Sequence, residues 1–173
     1  MNEAMQNLLT RRAVRAYKAD PVPKDVLERV VEAGLYAPSG HGRQCAVILA
    51  VTDRAVRDRL SRANAAVMGA DFDPFYGAPV VLVVLADRSV PTCVEDGALV
   101  MGNLMNAAHA EGLGSCWIHR AREVFAAEEG QALLKSLGLE GDYVGVGHCI
   151  LGYPADPLPE AEPRRPGRVF WVE

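Results

Sequence analysis

Three guanidiniums, those of Arg11, Arg12 and Arg15, sit close together in "LLTRRAVRAYKADPVP" (8–23), with Lys18 just behind them, in a chain whose formal net charge is −4. Guanidinium forks match the oxygens of a phosphate, and with 11 and 15 on one side of a helical turn they would converge on one anion. The other reading of such a charge run is a solvated face. "PRRP" near the end of the chain poses the same choice: its prolines hold Arg164 and Arg165 on an extended segment, either as distant members of an anion site or as an exposed basic tail. Two glycine-containing stretches could serve a planar ligand. In "APSGHGRQ" (37–44), Pro38, Ser39, Gly40 and Gly42 make a turn whose backbone amides could reach such a ligand, although a helix stop and a loop need the same residues. In "GLGSCWIH" (112–119), Gly112 or Gly114 is expected as a left-handed helix cap, and Trp117 is either a ligand contact or core.

The conventional catalytic signatures are missing. There is no nucleophile elbow, dinucleotide fingerprint or Walker loop, and the four histidines lack H-x-x-x-H spacing. Cys45, Cys93, Cys116 and Cys149 form no C-x-x-C pair, so no metal site and no disulfide scaffold is expected. They read as small core residues, and His109, on an apolar helix, as a satisfied core histidine. No residue is therefore nominated as catalytic, and nothing in the chain supplies redox or group-transfer chemistry unaided. The net negative charge argues against nucleic-acid binding. The longest apolar run, Ala78 to Ala86, falls well short of the roughly 20 residues of a membrane helix. The opening "MNEAMQNLLT" does not read as a secretory leader, so the expected compartment is the cytoplasm.

The elements that must position these residues follow from periodicity. At 173 residues, 50% hydrophobic and 23% charged, the chain is expected to be one globular domain, 1–173. Glu3 to Thr10 allows one or two helical turns, and Val26, Leu27, Val30, Val31 and Leu35 predict a helix from Lys24 to Tyr36. A buried strand is expected over Cys45 to Val51, then a surface helix N-capped by Asp53. "GADFDPFYGAP" reads as a loop, "VVLVVLA" as a second buried strand, and Thr92 to Leu113 as a central helix apolar on nearly every face. "SCWI" is short and strand-like, "REVFAAEEGQALLKSLGL" a further helix, and "YVGVGHCILGY" a third full strand. "RVFWV" in the proline-rich tail is too apolar for solvent and is expected on a sheet edge. Alternating helices and strands give an α/β or α+β class.

In order and separation, "RRAVRAY", "APSGHGRQ", "EDGALVMGNLMNAAHAEGLGSCWI" and "LGYP" with "PRRP" resemble the nitroreductase family of FMN flavoproteins over essentially the whole chain. The resemblance implies an α+β fold with a mostly antiparallel central sheet flanked by helices. It also implies a homodimer that holds FMN in its interface and exchanges its C-terminal segments. On the family's pattern Arg11, Arg12 and Arg15, with Ala13 among them, match the phosphate and ribityl contacts, and Arg164 the late phosphate arginine. Pro38, Ser39, Gly40 and His41 match the loop reaching the flavin from the partner, and Trp117 and Ile118 the segment along the isoalloxazine.

The implied activity is hydride transfer from NADH or NADPH through FMN to an electron-poor small molecule such as a nitroaromatic or quinone, with the cofactor carrying the chemistry. Alternatives on the same fold are a flavin reductase or dehalogenase-type enzyme, or an enone acceptor; outside catalysis, the alternative is a flavin store or sensor. The sequence departs from the family at several matched positions. Ala13 stands where Ser is common, Gly42 for Asn, Cys45-Ala46 for Pro-Trp, and His119 for Gly. Glu162 stands for a Lys that would accompany Arg164, leaving Arg165 to substitute.

Overall fold

The computed structural model describes all residues, Met1–Glu173. Helix α1, Glu3–Thr10, starts where the Asn2 side chain accepts the Met5 amide at 2.9 Å. Helix α2, Lys24–Leu35, buries Leu27, Val30 and Gly34, and a single 3₁₀ turn, Gly40–Gly42, leads to strand β1, Ala46–Val51. Helix α3, Arg54–Met68, is capped by Asp53 and closed by left-handed Gly69. Strand β2 is Val80–Asp87, helix α4 Cys93–Ala110 and strand β3 Gly114–Ile118. Helices α5, Ala121–Ala126, and α6, Glu128–Ser136, precede strand β4, Tyr143–Gly152.

The strands form one sheet in the order β1-β2-β4-β3, with every pair antiparallel. β2 is apolar on both faces because both faces are covered. Its Leu82 and Val84 pack with Val30, Met101 and Leu104 under α2 and α4, and its Val81 and Val83 with Leu60, Phe75 and Phe125 on the α3 and α5 side. The architecture is α+β, with a central antiparallel sheet flanked by helices. No helix is long and apolar enough to cross a membrane.

Several expectations shift. "SCWI" is a full partner of β4, so the sheet has four strands where sequence reading gave three of ordinary type. The expected single helix after β3 breaks at Ala127, whose ψ of 157° is extended; α6 then packs onto the end of α5, where a Cβ on Gly130 would lie 2.3 Å from the Val124 carbonyl oxygen. Gly112, at φ 74°, takes the left-handed turn after α4, and Gly114 belongs to β3. The central helix is shorter than expected, ending at Ala110. "RVFWV" joins no strand of its own chain: Val169, Phe170, Trp171 and Val172 are 68–98% exposed.

Candidate functional site

The arginine segment is extended, which corrects the helical turn expected there. Arg11 leaves α1 with ψ 135°, Ala13 bridges Ser115 of β3 in parallel, Val14 donates to the Ser115 carbonyl at 3.0 Å, and Tyr17 bridges Pro154. An extended chain alternates its side chains, so Arg11 and Arg15 share a side and Arg12 takes the other. Arg12 turns back on α1, its Nη1 donating to the Leu9 and Arg11 carbonyls at 2.8 and 2.7 Å, while its buried Nε has no partner. The guanidiniums of Arg11 and Arg15 make no hydrogen bond and no ion pair in the chain, and the salt bridges all involve other cations. Both lie near the Cys116 thiol, where burial pushes its pKa up and Arg15 and Arg11 pull it back. His109, at the end of α4, shares a 2.9 Å hydrogen bond with Thr10 Oγ1; burial, then Arg11 and Arg12, lower its pKa. One ring nitrogen is thus satisfied, but the residue is half-buried at the helix end beside the cations, which corrects the core position expected for it.

Arg15 lies where two hollows meet. One, of about 300 Å³, runs between Ala13–Ala16 and Asp156–Pro159. The other, of about 190 Å³, has Arg15, Phe72, Tyr76, Trp117, Ile118 and Arg120 among its lining residues, together with His119. Trp117 pairs with Cys149, and its indole lies over Gly147, two residues along β4, where a Cβ would come within 2.6 Å of Nε1. The turn after β3 is fixed from α3. Asn64, fully buried, donates through Nδ2 to the His119 carbonyl at 2.7 Å and accepts from Arg120 Nε at 3.0 Å, holding Arg120 at φ 72°. Sequence reading missed Asn64 and Arg120. Asn64 did leave a signal: an amide one turn after Leu60, on the buried stripe of an amphipathic helix.

The "PSGHG" loop lies elsewhere. Asp96, buried in the first turn of α4, accepts the Gly40 amide at 2.9 Å, the Cys45 thiol at 3.2 Å and the Thr92 hydroxyl at 3.2 Å. Burial raises the Asp96 pKa, and these three hydrogen bonds more than offset it, leaving it below the ordinary value. The amides of Gly42, Arg43 and Gln44 bond to Ser39 O, Gly40 O and Ser39 Oγ. With the Ala37 amide on the Gly34 carbonyl, five of the amides in 37–44 are used within the chain, which narrows the expected ligand-facing set to those of Ser39 and His41. His41 and Gln44 are held at φ 54° and 49°. Asp96 and His109 mark the two ends of α4, thirteen residues apart, or about 20 Å at helical rise. Within one chain, then, Arg11, Ala13, Arg15, Trp117 and Ile118 come together, and Pro38, Ser39, Gly40 and His41 do not join them. Arg164 and Arg165 are exposed on the tail, where the Arg164 side chain donates only to the Glu162 carbonyl, two residues before it.

The model of the nitroreductase family matches residues 8–71 and 68–153. The chain is 31% identical to the NADPH-flavin oxidoreductase of Vibrio harveyi, covering 98% of this chain and 72% of that one. It is 26% identical to the FMN reductase [NAD(P)H] of Bacillus subtilis, over 90% of this chain and 68% of that one. Its fold superposes on the FMN-bound nitroreductase of Bacteroides fragilis with a TM-score of 0.90 at 29% identity, covering 100% of both chains. With the family pattern matched over most of its length and the fold reproduced throughout, the chain belongs to the nitroreductase family.

Proposed function

We propose that the protein is an FMN-dependent oxidoreductase that takes hydride from NADH or NADPH and delivers it to an electron-poor small molecule, a nitroaromatic or a quinone. The observation that carries this reading is the pair of unpaired guanidiniums, Arg11 and Arg15, both near Cys116, with Arg15 where the two hollows meet beside the half-buried Trp117. The donor set fits a flavin phosphate: two free forks, neither of them ion-paired to a carboxylate, although Asp156 lines the larger hollow. Bound FMN supplies the hydride chemistry. Arg11 and Arg15 anchor its phosphate and ribityl chain, and Trp117 and Ile118 line its ring. Arg12 acts mainly through the backbone it braces, and Ala13 offers no hydroxyl.

The homodimer is part of the proposal. A second copy running antiparallel along α4 would bring its Pro38, Ser39, Gly40 and His41 to the flavin end of the first, since the two regions sit at opposite ends of one helix. Exposed Val94 and Leu99 on α4 and the apolar tail 169–172 offer surface for that contact, and an exchanged tail would carry Arg164 and Arg165 toward the partner's phosphate site. The compartment that fits this cofactor economy is the cytoplasm. The test is spectroscopic: the purified protein binds FMN with a flavin absorbance band, and NADH or NADPH bleaches that band without oxygen. Bleaching by neither donor would leave a flavin store or sensor, and failure to bind FMN would refute the reading.

A further inference from the structure

The 190 Å³ cleft beside Trp117 contains a cation with no assigned work. Arg15 serves the flavin in the reading above, yet Arg120 lines the same cleft and its terminal Nη groups have neither a carboxylate nor a carbonyl partner in the chain. Arg57, two turns before Asn64 on α3, shows the contrast: its guanidinium is consumed by the Ala78 carbonyl, Asp58 and Asp73. Arg120 is instead tied by Nε alone. Fully buried Asn64 accepts that Nε at 3.0 Å and, through the 2.7 Å bond to the His119 carbonyl, braces a left-handed backbone that a non-glycine residue adopts at a cost. A buried amide thus holds one edge of an arginine fork while leaving the other edge free. Phe72, Tyr76, Trp117 and His119 are among the other lining residues, and none of the lining residues is acidic.

We propose that Arg120, positioned by Asn64, selects electron acceptors that carry a carboxylate on a planar ring. The acceptor's ring stacks on the flavin that runs along Trp117 and Ile118, flanked by Phe72 and Tyr76, and its carboxylate receives the free guanidinium edge. This rests on the FMN-dependent reading and adds a substrate class to it. Arg120 contacts substrate, whereas Asn64 acts only through Arg120 and His119.

The test compares 4-nitrobenzoate with the isosteric but neutral 4-nitrobenzamide on the flavin-loaded protein. The wild type should favour the carboxylate in kcat/KM, and Arg120→Gln should lower that preference by about tenfold or more, the size of a charge-assisted hydrogen bond, through KM. Arg120→Gly keeps the test open should glutamine fit the left-handed turn poorly, because glycine relieves that backbone. Asn64→Ala should erode the preference in the same direction, and benzoate binding, read from the flavin spectrum, should weaken in parallel. Equal use of acid and amide by the wild type, or an arginine variant that shifts only the KM for NADH or NADPH, overturns the proposal. Flavin binding and turnover of the neutral amide check the underlying reading separately.

Discussion

Arg12 and Arg15 are three residues apart and carry the same group, yet the structure gives them opposite work, so their alanine variants should fail differently. Arg15 is exposed and touches no partner in its own chain. Its removal should leave stability within about 0.5 kcal/mol of wild type. It should weaken FMN binding by about 1.5–3 kcal/mol, roughly a ten- to hundredfold rise in Kd. Arg12 donates at 2.8 and 2.7 Å to two carbonyls at the end of α1, where a cation also meets the negative end of the helix dipole. Two such bonds in a half-buried setting, on a helix of only eight residues, are worth about 1–2 kcal/mol together. For a chain of this size that lowers Tm by about 2–8 °C. The assay pairs thermal melts of the apoprotein with FMN titration followed by fluorescence quenching. If Arg15→Ala melts early, or Arg12→Ala loses FMN affinity at an unchanged Tm, the assignment of the segment as an extended strand with alternating faces is wrong.

Two further predictions concern buried titratable groups. Asp96→Asn should destabilise the protein at neutral pH and loosen the 37–44 loop toward proteolysis. Because the folded pKa of Asp96 is depressed below its ordinary 3.8, the carboxylate's contribution is fully present above that value and is lost as pH falls through the folded pKa. Urea unfolding should therefore show the difference between wild type and variant narrowing only in strong acid. His148, wholly buried between Phe75 and Phe125, has its pKa lowered by burial to about 4 from 6.5. The unfolded chain binds the extra proton between those values, so stability rises with pH across that window. Wild type should lose about 2 kcal/mol between pH 7 and pH 5, and His148→Leu should lose much less. Equal slopes would mean that the imidazole is charged in the folded protein.

The sheet was legible where a single physical signal dominated. β2 reads as a buried strand because nothing polar interrupts Val80 to Ala86, and α3 because its charges and apolar residues alternate at helical period between Asp53 and Gly69. The break at Ala127 was illegible, because "VFAAEEGQ" has good helix propensity and only the packing of Gly130 onto α5 interrupts it. The site divides in the same way. Arg11 and Arg15 stood out as candidates by type and spacing, whereas Trp117 and Ile118 were tied to a flavin only through the family resemblance. Asn64, Asp96 and Arg120 did not stand out, because each acts through a contact across tens of residues in sequence: 64 to 119 and 120, 96 to 40 and 45. The helical turn expected for the arginines failed because Ser115 offers the 13–14 backbone a ladder bond that local propensity ignores.

What unites the missed residues is where the chain breaks its own local rules. Four non-glycine residues have positive φ: His41, Gln44, Tyr76 and Arg120. Two belong to the loop that Asp96 braces, and the other two line the cleft beside Trp117. Of the three buried polar atoms without a partner, Arg12 Nε and Ser115 Oγ fall where the arginine segment meets β3, and His148 Nε2 belongs to the ring whose other nitrogen faces Asn64 at 3.4 Å. A residue in the left-handed region costs on the order of 1 kcal/mol or more, and an orphaned buried donor a similar amount. Were these scattered, they would be tolerated defects of an ordinary core. They gather instead at the two ends of α4 and around the turn after β3, and the intervening sheet contains none of the positive-φ residues. That distribution is expected when strain is retained because a bound ligand uses it, and it points to the same two patches that a flavin shared between copies would join.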